Sequence, residues 1–456
     1  MTEASDDNVA RTGRREFRDL VALAAPIMVV QIGMMSMGLV DTAMLGRVSS
    51  DDVAACGLGN SFSYLVANFC MGILFALDPI LSQALGARDN EAFANGLRNG
   101  FVVALLLTIP GSVAWWFSGD VLHALEQPAR LIPKAESYVR ALIPSLFAFF
   151  GFIVLRISLQ AMHRIRPLIV IILAANVANA VLDVALIEGK FGLPALGIVG
   201  CGIATTICRW AMFLGLAACA WPHLRPAILH RSSGLPSARA LWRIVRYGVP
   251  IGLQLVVELG AFVVVMFRMG YLENPETAVA GHVIAINLAA LSFMMPLGLS
   301  IAASVRVGWA VGEGDIERVR QRARIALVTG AAIMAVWGVF FWLTPAPLLR
   351  VFTDDPAVLT VALTLMPLAA LFQIFDGLQV VAGGVLRGLG DTLLPALCHI
   401  LGFWLLGLPV GRWLAFDRGL GPSGLWWGLV LGLVAVSIVL IWRMERCLRR
   451  NTIRRI

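Results

Sequence analysis

Charge is what this chain is short of. Only 14% of its 456 residues are charged, 59% are hydrophobic, and the mean hydropathy is +0.82. Soluble domains carry about 25% charged and roughly 45–50% apolar residues, so a water-soluble enzyme is excluded as the body of this chain. Histidines are few and none pairs at ligand spacing; His163, His223 and His230 fall in loop-like stretches. The cysteines, Cys56, Cys70, Cys201, Cys208, Cys219, Cys398 and Cys447, lack metal-ligand spacing and sit mostly in apolar runs, which reads as buried thiols and not as disulfides or zinc ligands. With no nucleotide loop and no nucleophile constellation, neither an enzyme activity nor an organic cofactor is expected. The +8 net charge lies in short segments between apolar runs, without a dense basic face, so nucleic acid is not an expected partner. The first 20 residues are polar and the apolar run behind them is long enough to stay as a membrane helix, so no cleaved leader is expected.

What the chain does have is long apolar runs. Twelve of them fit spans of roughly 20 residues each, at 20–43, 53–77, 96–118, 135–158, 166–187, 195–220, 247–269, 279–306, 325–344, 358–382, 393–413 and 422–442. The expected fold is all-α: a polytopic membrane protein with twelve transmembrane helices in two pseudo-symmetric six-helix bundles. Arginines concentrate in alternate connections if the N-terminus is inside, as at Arg11–Arg18, Arg156–Arg166, Arg225–Arg246, Arg306–Arg324 and Arg443–Arg455. The positive-inside rule then places both termini in the cytoplasm. The polar stretch near 221–242 divides the chain, and an offset of about 224 pairs Pro26 with Pro250, Gly46 with Gly270 and Gly57 with Gly281; SQALGARD at 82–89 faces VGWAVGEGD at 307–315. The organisation read from this is a tail at 1–19, a first bundle at 20–220, a linker at 221–242, a second bundle at 243–442 and a basic tail at 443–456. Six helices per half, an even number, make the repeats parallel in topology.

Inside these spans sit carboxylates, which cost several kcal/mol in hydrocarbon unless paired, wet or protonated. In the first half Asp41 lies late in the first span, Asn176, Asn179 and Asp183 lie in the fifth, and Thr205 and Thr206 in the sixth. Asn179 and Asp183, four apart, share a helical face. Asp41, Asn179, Asp183 and Thr205 make a cation or proton site, with Asp41, Asn179 and Asp183 as ligands for Na+ if a metal ion binds. The plainer alternatives are carboxylates that are merely wet near an extracellular mouth and a threonine bonded to its own helix. In the second half Glu258 lies with Gln254 one turn earlier, and Asp376 with Gln373 and Gln379 on either side. With Asn287 of the eighth span these form a second site for substrate or ion, unless Glu258 pairs with Arg306 or Arg387. Pro26 and Pro250, in equivalent places, are hinge candidates or helix starts.

LAAPIMVVQIGMMSMGLVDTAMLG, DPILSQALGARD, NAVLDVALIEGKFGLPALGIVGCGIAT, RYGVPIGLQLVVELGAF and FDGLQVVAGGVLRGLGDT occur in that order, from about Asp19 to Arg443. In this the chain resembles the multidrug and toxic compound extrusion (MATE) transporters, NorM-like branch. The resemblance implies efflux of cationic, amphiphilic compounds in exchange for inward H+ or Na+, by alternating access between two lobes around a central cavity. It implies a protein of the bacterial inner membrane, in contact with lipid and expected to be a monomer. It carries the family's acidic first-helix position onto Asp41, its fifth-helix pair onto Asn179 and Asp183, its seventh-helix glutamate onto Glu258 and its tenth-helix acid onto Asp376. NorM-like sodium transporters often have asparagine where this chain has Asp183, so both coupling ions stay open.

The competing reading is a flippase for a lipid-linked oligosaccharide or other lipid-like substrate of the same wider superfamily. That cargo needs basic groups along the cavity, whereas this sequence places carboxylates in its spans and arginines mostly at their ends. The topology is open to a direct test. Reporter fusions at the N-terminus, within 221–242 and at the C-terminus are all expected to report cytoplasm, and an external C-terminus breaks the twelve-span scheme.

Overall fold

Apolar runs of this length must close their backbone hydrogen bonds internally, which in a single chain without a barrel means helices. The computed structural model describes residues 2–228 and 237–450, with side chains from Gly13 onward, and among the described residues every regular element is helical. Twelve helices are long and apolar enough to cross a membrane. They are α1 (Gly13–Leu45), α2 (Ser50–Gly86), α3 (Asn90–Trp116), α4 (Ile132–Ala161), α5 (Arg166–Ile187), α6 (Gly197–Ile228), α7 (Ala238–Met269), α8 (Pro275–Glu313), α9 (Ile316–Leu343), α10 (Pro356–Gly388), α11 (Leu393–Asp417) and α12 (Gly421–Arg450).

Each expected span lies on one of these helices, and most helices outrun the apolar window that located them. α6 continues to Ile228 and α7 starts at Ala238, so most of the stretch read as a linker is helical; residues 229–236 and 451–456 lie outside the described residues. Two arginines also lie within helices. Arg156, read as part of a polar connection, is buried inside α4, where it donates to Gln31 Oε1 at 3.0 Å. Arg209, inside α6, donates to Ser145 Oγ at 2.9 Å and lies over the Phe149 ring. A hydropathy window averages a single arginine away when its neighbours are apolar enough.

The chain forms two compact units, one of residues 29–252 and one of residues 1–28 with 253–456. Both divisions fall within helices, two residues after Pro26 in α1 and two after Pro250 in α7. Neither proline starts a helix; each sits in the interior of a long one. In the first unit Gly248 and Gly252 bring the start of α7 onto the backbone of Ile73 and Phe69 in α2. In the second, Gly298 of α8 lies on the backbone of Met28, and Glu16 of α1 is ion-paired with Arg306 and with Arg322, the latter at 3.1 Å. Arg306 is therefore partnered by Glu16, not by Glu258.

The repeat also extends to the turns. Arg88 (φ 56°) and Gly314 (φ 76°) end α2 and α8 in the left-handed conformation, and the next residue in each case is an aspartate capping the following helix. Asp89 accepts from the Ala92 N–H at 2.8 Å, and Asp315 from the Arg318 N–H at 3.0 Å. The cap satisfies a helix-end donor that has no intrahelical partner. His163 and Gly390, after α4 and α10, repeat the left-handed ending with φ of 56° and 79°. Sequence identity at these turns is low, but the backbone geometry is shared.

Within the second unit α10 carries Gly377, Gly384 and Gly388 on faces packed against α9 and α8. Ser300 of α8 donates across this contact to the Val380 carbonyl at 2.6 Å. A Cβ on Gly384 would lie 2.9 Å from the Ser300 carbonyl carbon, whereas a Cβ on Gly57 meets nothing within 4 Å. Gly384→Ala is therefore expected to destabilise the protein by about 1–3 kcal/mol. Gly57→Ala is expected to be neutral or to stabilise by up to about 1 kcal/mol. Thermal unfolding of the purified variants in detergent reads both, and equal midpoints would contradict this packing.

Candidate functional site

The first unit gathers its polar side chains where three helices meet. α1 supplies Asp41, α5 supplies Asn179 and Asp183 from one face, and α6 supplies Thr205 and, one turn earlier, Cys201. All five are buried. The Thr205 hydroxyl donates to Asp41 Oδ2 at 3.2 Å. Asn179 and Asp183 stand beside Asp41, and an oxygen of each carboxylate lies within 4.8 Å of the other and of the Cys201 sulfur. Asp41 Oδ1, both Asp183 oxygens and both polar atoms of the Asn179 amide take no hydrogen bond among the described residues. Two ionised carboxylates at that separation repel by roughly 3 kcal/mol even at an effective dielectric of about 20. A proton or small cation between them removes the repulsion and occupies the free oxygens, so the donor set fits either one. Oxygen ligands of this kind suit a hard ion such as Na+.

The four residues expected here are thus brought together. Cys201 was missed, because a cysteine in an apolar run reads as core; its signal was the four-residue spacing to Thr205. Two neighbours prove structural. Asn176 donates to the carbonyls of Gly33 and Ile172, both at 2.9 Å, and Thr206 donates to the Ala141 carbonyl at 2.8 Å.

The second unit holds a different cluster. Gln379 of α10 donates through Nε2 to Glu258 Oε1 of α7 at 2.9 Å and to Asp376 Oδ1 at 3.3 Å. Its Oε1 lies 2.6 Å from Nε2 of His399, on α11. Gln254 reaches the same ring nitrogen at 3.3 Å, and Glu258 Oε2 lies 3.7 Å from it. His399 is fully buried. The ring is followed at once by a stretch of π-helix, Ile400–Gly407, a distortion that is often found at functional sites. One turn from Glu258 and from His399, Phe262 and Phe403 pack edge to face, and Phe372 joins them.

Glu258, Asp376 and Gln254 therefore meet as expected, whereas Asn287 stands exposed on α8 and none of these hydrogen bonds reaches it. Gln373, one turn before Asp376, is buried with neither amide atom bonded. His399 is the functional residue that spacing could not find, since its partners lie on other helices.

Thr205 gives the first unit a stability test. Thr205→Val removes the hydroxyl hydrogen bond to Asp41 Oδ2 and is expected to cost about 1–3 kcal/mol. Thr205→Ser restores it. An unchanged unfolding midpoint for Thr205→Val at neutral pH would remove the hydroxyl from the site.

Comparison with known proteins agrees with this geometry. The family model described as MatE matches residues 26–185 and again 250–413, and the two matches begin 224 residues apart. The chain is 36% identical over 435 residues to the multidrug resistance protein NorM of Burkholderia vietnamiensis, covering 94% of this chain and 93% of that protein. It is 35% identical over 448 residues to the multidrug resistance protein PmpM of Pseudomonas aeruginosa, covering 96% and 93%. Among solved structures, the eukaryotic MATE transporter AtDTX14 superposes with a TM-score of 0.85 at 24% identity, over 96% of this chain and 99% of that one. An outward-facing multidrug resistance MATE transporter of the MOP superfamily gives 0.87 at 19% identity, over 95% and 96%; both likenesses speak to the fold alone. Twelve membrane-length helices, a duplicated half and these sequence matches over nearly the whole chain show that it belongs to the MatE family of multidrug transporters.

Proposed function

We propose that this protein is a secondary antiporter that exports cationic amphiphilic compounds in exchange for inward H+ or Na+, by alternating access. The observation that carries the reading is a pair of carboxylates within the helical spans of each half, three of the four buried and Glu258 partly buried. Asp41 with Asp183 is one pair, and Glu258 with Asp376 is the other. Among the described residues neither pair is hydrogen-bonded to an arginine or lysine; Arg156, buried in the first unit, is bonded to Gln31, and the half-buried Arg209 to Ser145. Sites of net negative charge in low dielectric favour cations, and this supports small cationic cargo over the diphosphate of a lipid-linked sugar. The names of the NorM and PmpM relatives point the same way.

Asp41, Asn179, Asp183 and Thr205 form the ion or proton site in this reading. Glu258 and Asp376 bind cargo or a second ion beside the aromatic side chains of Phe262, Phe372 and Phe403, which offer a face to an organic cation. Pro26 and Pro250, in the interiors of α1 and α7, serve as hinges, because each lacks the N–H that would complete its helical turn. The protein works in the inner membrane with both termini in the cytoplasm.

Dye efflux from liposomes containing the purified protein tests this, with sodium and proton gradients imposed separately. One gradient or both is expected to drive transport. Asp41→Asn and Glu258→Gln are each expected to lower gradient-driven transport at least about tenfold, which corresponds to about 1.4 kcal/mol. Unchanged transport in both variants would sink the carboxylate mechanism.

A further inference from the structure

Where the last turn of α7 meets the second half of α11, the second unit carries a pocket of about 470 Å3 that the exchange reading leaves unused. Its walls include Arg268 of α7 and Trp404, Arg412, Trp413 and Asp417 of α11. An α-helix turns about 100° per residue, so Trp404 and Asp417 would stand roughly 220° apart around its axis. Instead, α11 is wound as π-helix over Ile400–Gly407 and Trp413–Asp417, with the α-helical stretch Leu408–Arg412 between. The wider winding takes more residues per turn, so Trp404, Leu408, Arg412 and Asp417 all come round to the pocket. A distortion of this kind is often found at functional sites, and here it builds one wall.

The charges on these walls find no partner among the described residues. Arg268, Arg412 and Asp417 take no hydrogen bond or ion pair there. By contrast Arg130, Lys134, Arg140 and Lys190, at helix ends and connections of the first unit, are each paired with a carboxylate. A lone arginine at a helix end is ordinarily an anchor that keeps its head in water. Two arginines from different helices lining one cavity, with Arg418 over the Trp413 ring at 4.7 Å, outweigh the single aspartate and leave the pocket positive. The guanidinium fork matches the oxygens of a phosphate.

The surroundings narrow the ligand further. Trp404 donates from Nε1 to the Val257 carbonyl at 3.0 Å, which ties α11 to α7 beside the pocket. Leu401, Trp404, Leu405, Trp413 and Phe416 are exposed along α11, and Phe267 along α7. Exposed tryptophans towards the end of an apolar helix mark the membrane–water boundary, and the leucines continue from them into the hydrocarbon. A positive pocket at that boundary, with apolar surface running away from it, fits a ligand with a phosphate head and acyl chains. A free phosphate would use only the pocket.

We propose that this pocket binds the headgroup phosphate of an anionic phospholipid, with Arg268 and Arg412 on the phosphate oxygens and the acyl chains along the exposed leucines of α11. With both termini in the cytoplasm, as read above, the lipid belongs to the outer leaflet. An inverted topology would move it to the inner leaflet and leave the site in place. The site asks nothing of the cargo or of the coupling ion.

Native mass spectrometry of the delipidated, full-length protein tests the proposal, with phosphatidylglycerol and phosphatidylcholine titrated separately. The wild type is expected to bind one phosphatidylglycerol about tenfold more tightly than phosphatidylcholine, and Arg268→Ala and Arg412→Ala are each expected to weaken that binding about tenfold. Arg350→Ala, at an exposed arginine outside the pocket, is expected to bind as the wild type does. Equal binding of phosphatidylglycerol by the wild type and by the protein carrying both Arg268→Ala and Arg412→Ala would overturn the proposal. Inorganic phosphate is expected not to displace the lipid; displacement would make the pocket a free-phosphate site and overturn the lipid. Should the substituted proteins not fold, the wild type in vesicles of photoreactive phosphatidylglycerol carries the same test. Label is expected on the segment from Trp404 to Asp417, and labelling confined to other segments overturns the proposal.

Discussion

An ionised carboxylate in an apolar interior must be answered by something, and the organisation of this protein follows from that constraint. Helices close their own backbone, so the spans themselves place no demand on their neighbours. Asp41, Asp183, Glu258 and Asp376 do. Each draws polar side chains from two or three other helices to one place, and those side chains fix which faces of α1, α5, α6, α7, α10 and α11 point inward. The remaining inward positions are small or apolar, and the glycines of α8 and α10 let the helices approach closely around them.

The two halves answer the constraint differently, although they descend from one repeat. The first leaves two carboxylates facing each other with free oxygens, a hydroxyl on one of them and an amide and a thiol alongside. Among the described residues no basic side chain is hydrogen-bonded to that cluster, and its donor set fits a proton or a metal ion. The second half bridges its carboxylates with an amide and backs the amide with the buried ring of His399. The repeat has thus kept its turns, its caps and the position of its first-helix proline while its two polar centres diverged.

Most of the fold was legible in the sequence, because a span twenty residues long is a property of a window. The duplication was legible for the same reason, through Pro26 and Pro250, Gly57 and Gly281, and the two loops after the second and eighth spans. Helix ends were not: α6 and α7 run well into the polar stretch that hydropathy assigns to a linker. Among the site residues, those on one helix face could be grouped, as with Asn179 and Asp183 or Asp376 and Gln379. His399 could not, since its partners Gln379, Gln254 and Glu258 lie on two other helices. Cys201 looked like core, and Asn287 looked like a ligand because amides in spans usually are. Arg156 and Arg209 were hidden by the apolar residues around them in the sequence.

The central claim is that outward movement of an organic cation and inward movement of a small cation are one event. Coupling of that kind runs in both directions, so the cargo gradient alone drives the ion. The direct measurement loads liposomes containing the protein with ethidium, sets sodium and pH equal on both sides, and follows ion entry as the dye leaves. The account predicts that protons or sodium move inward against no gradient of their own, and that Asp41→Asn and Glu258→Gln reduce this movement. Dye leaving through the protein with no counter-movement of either ion would contradict it.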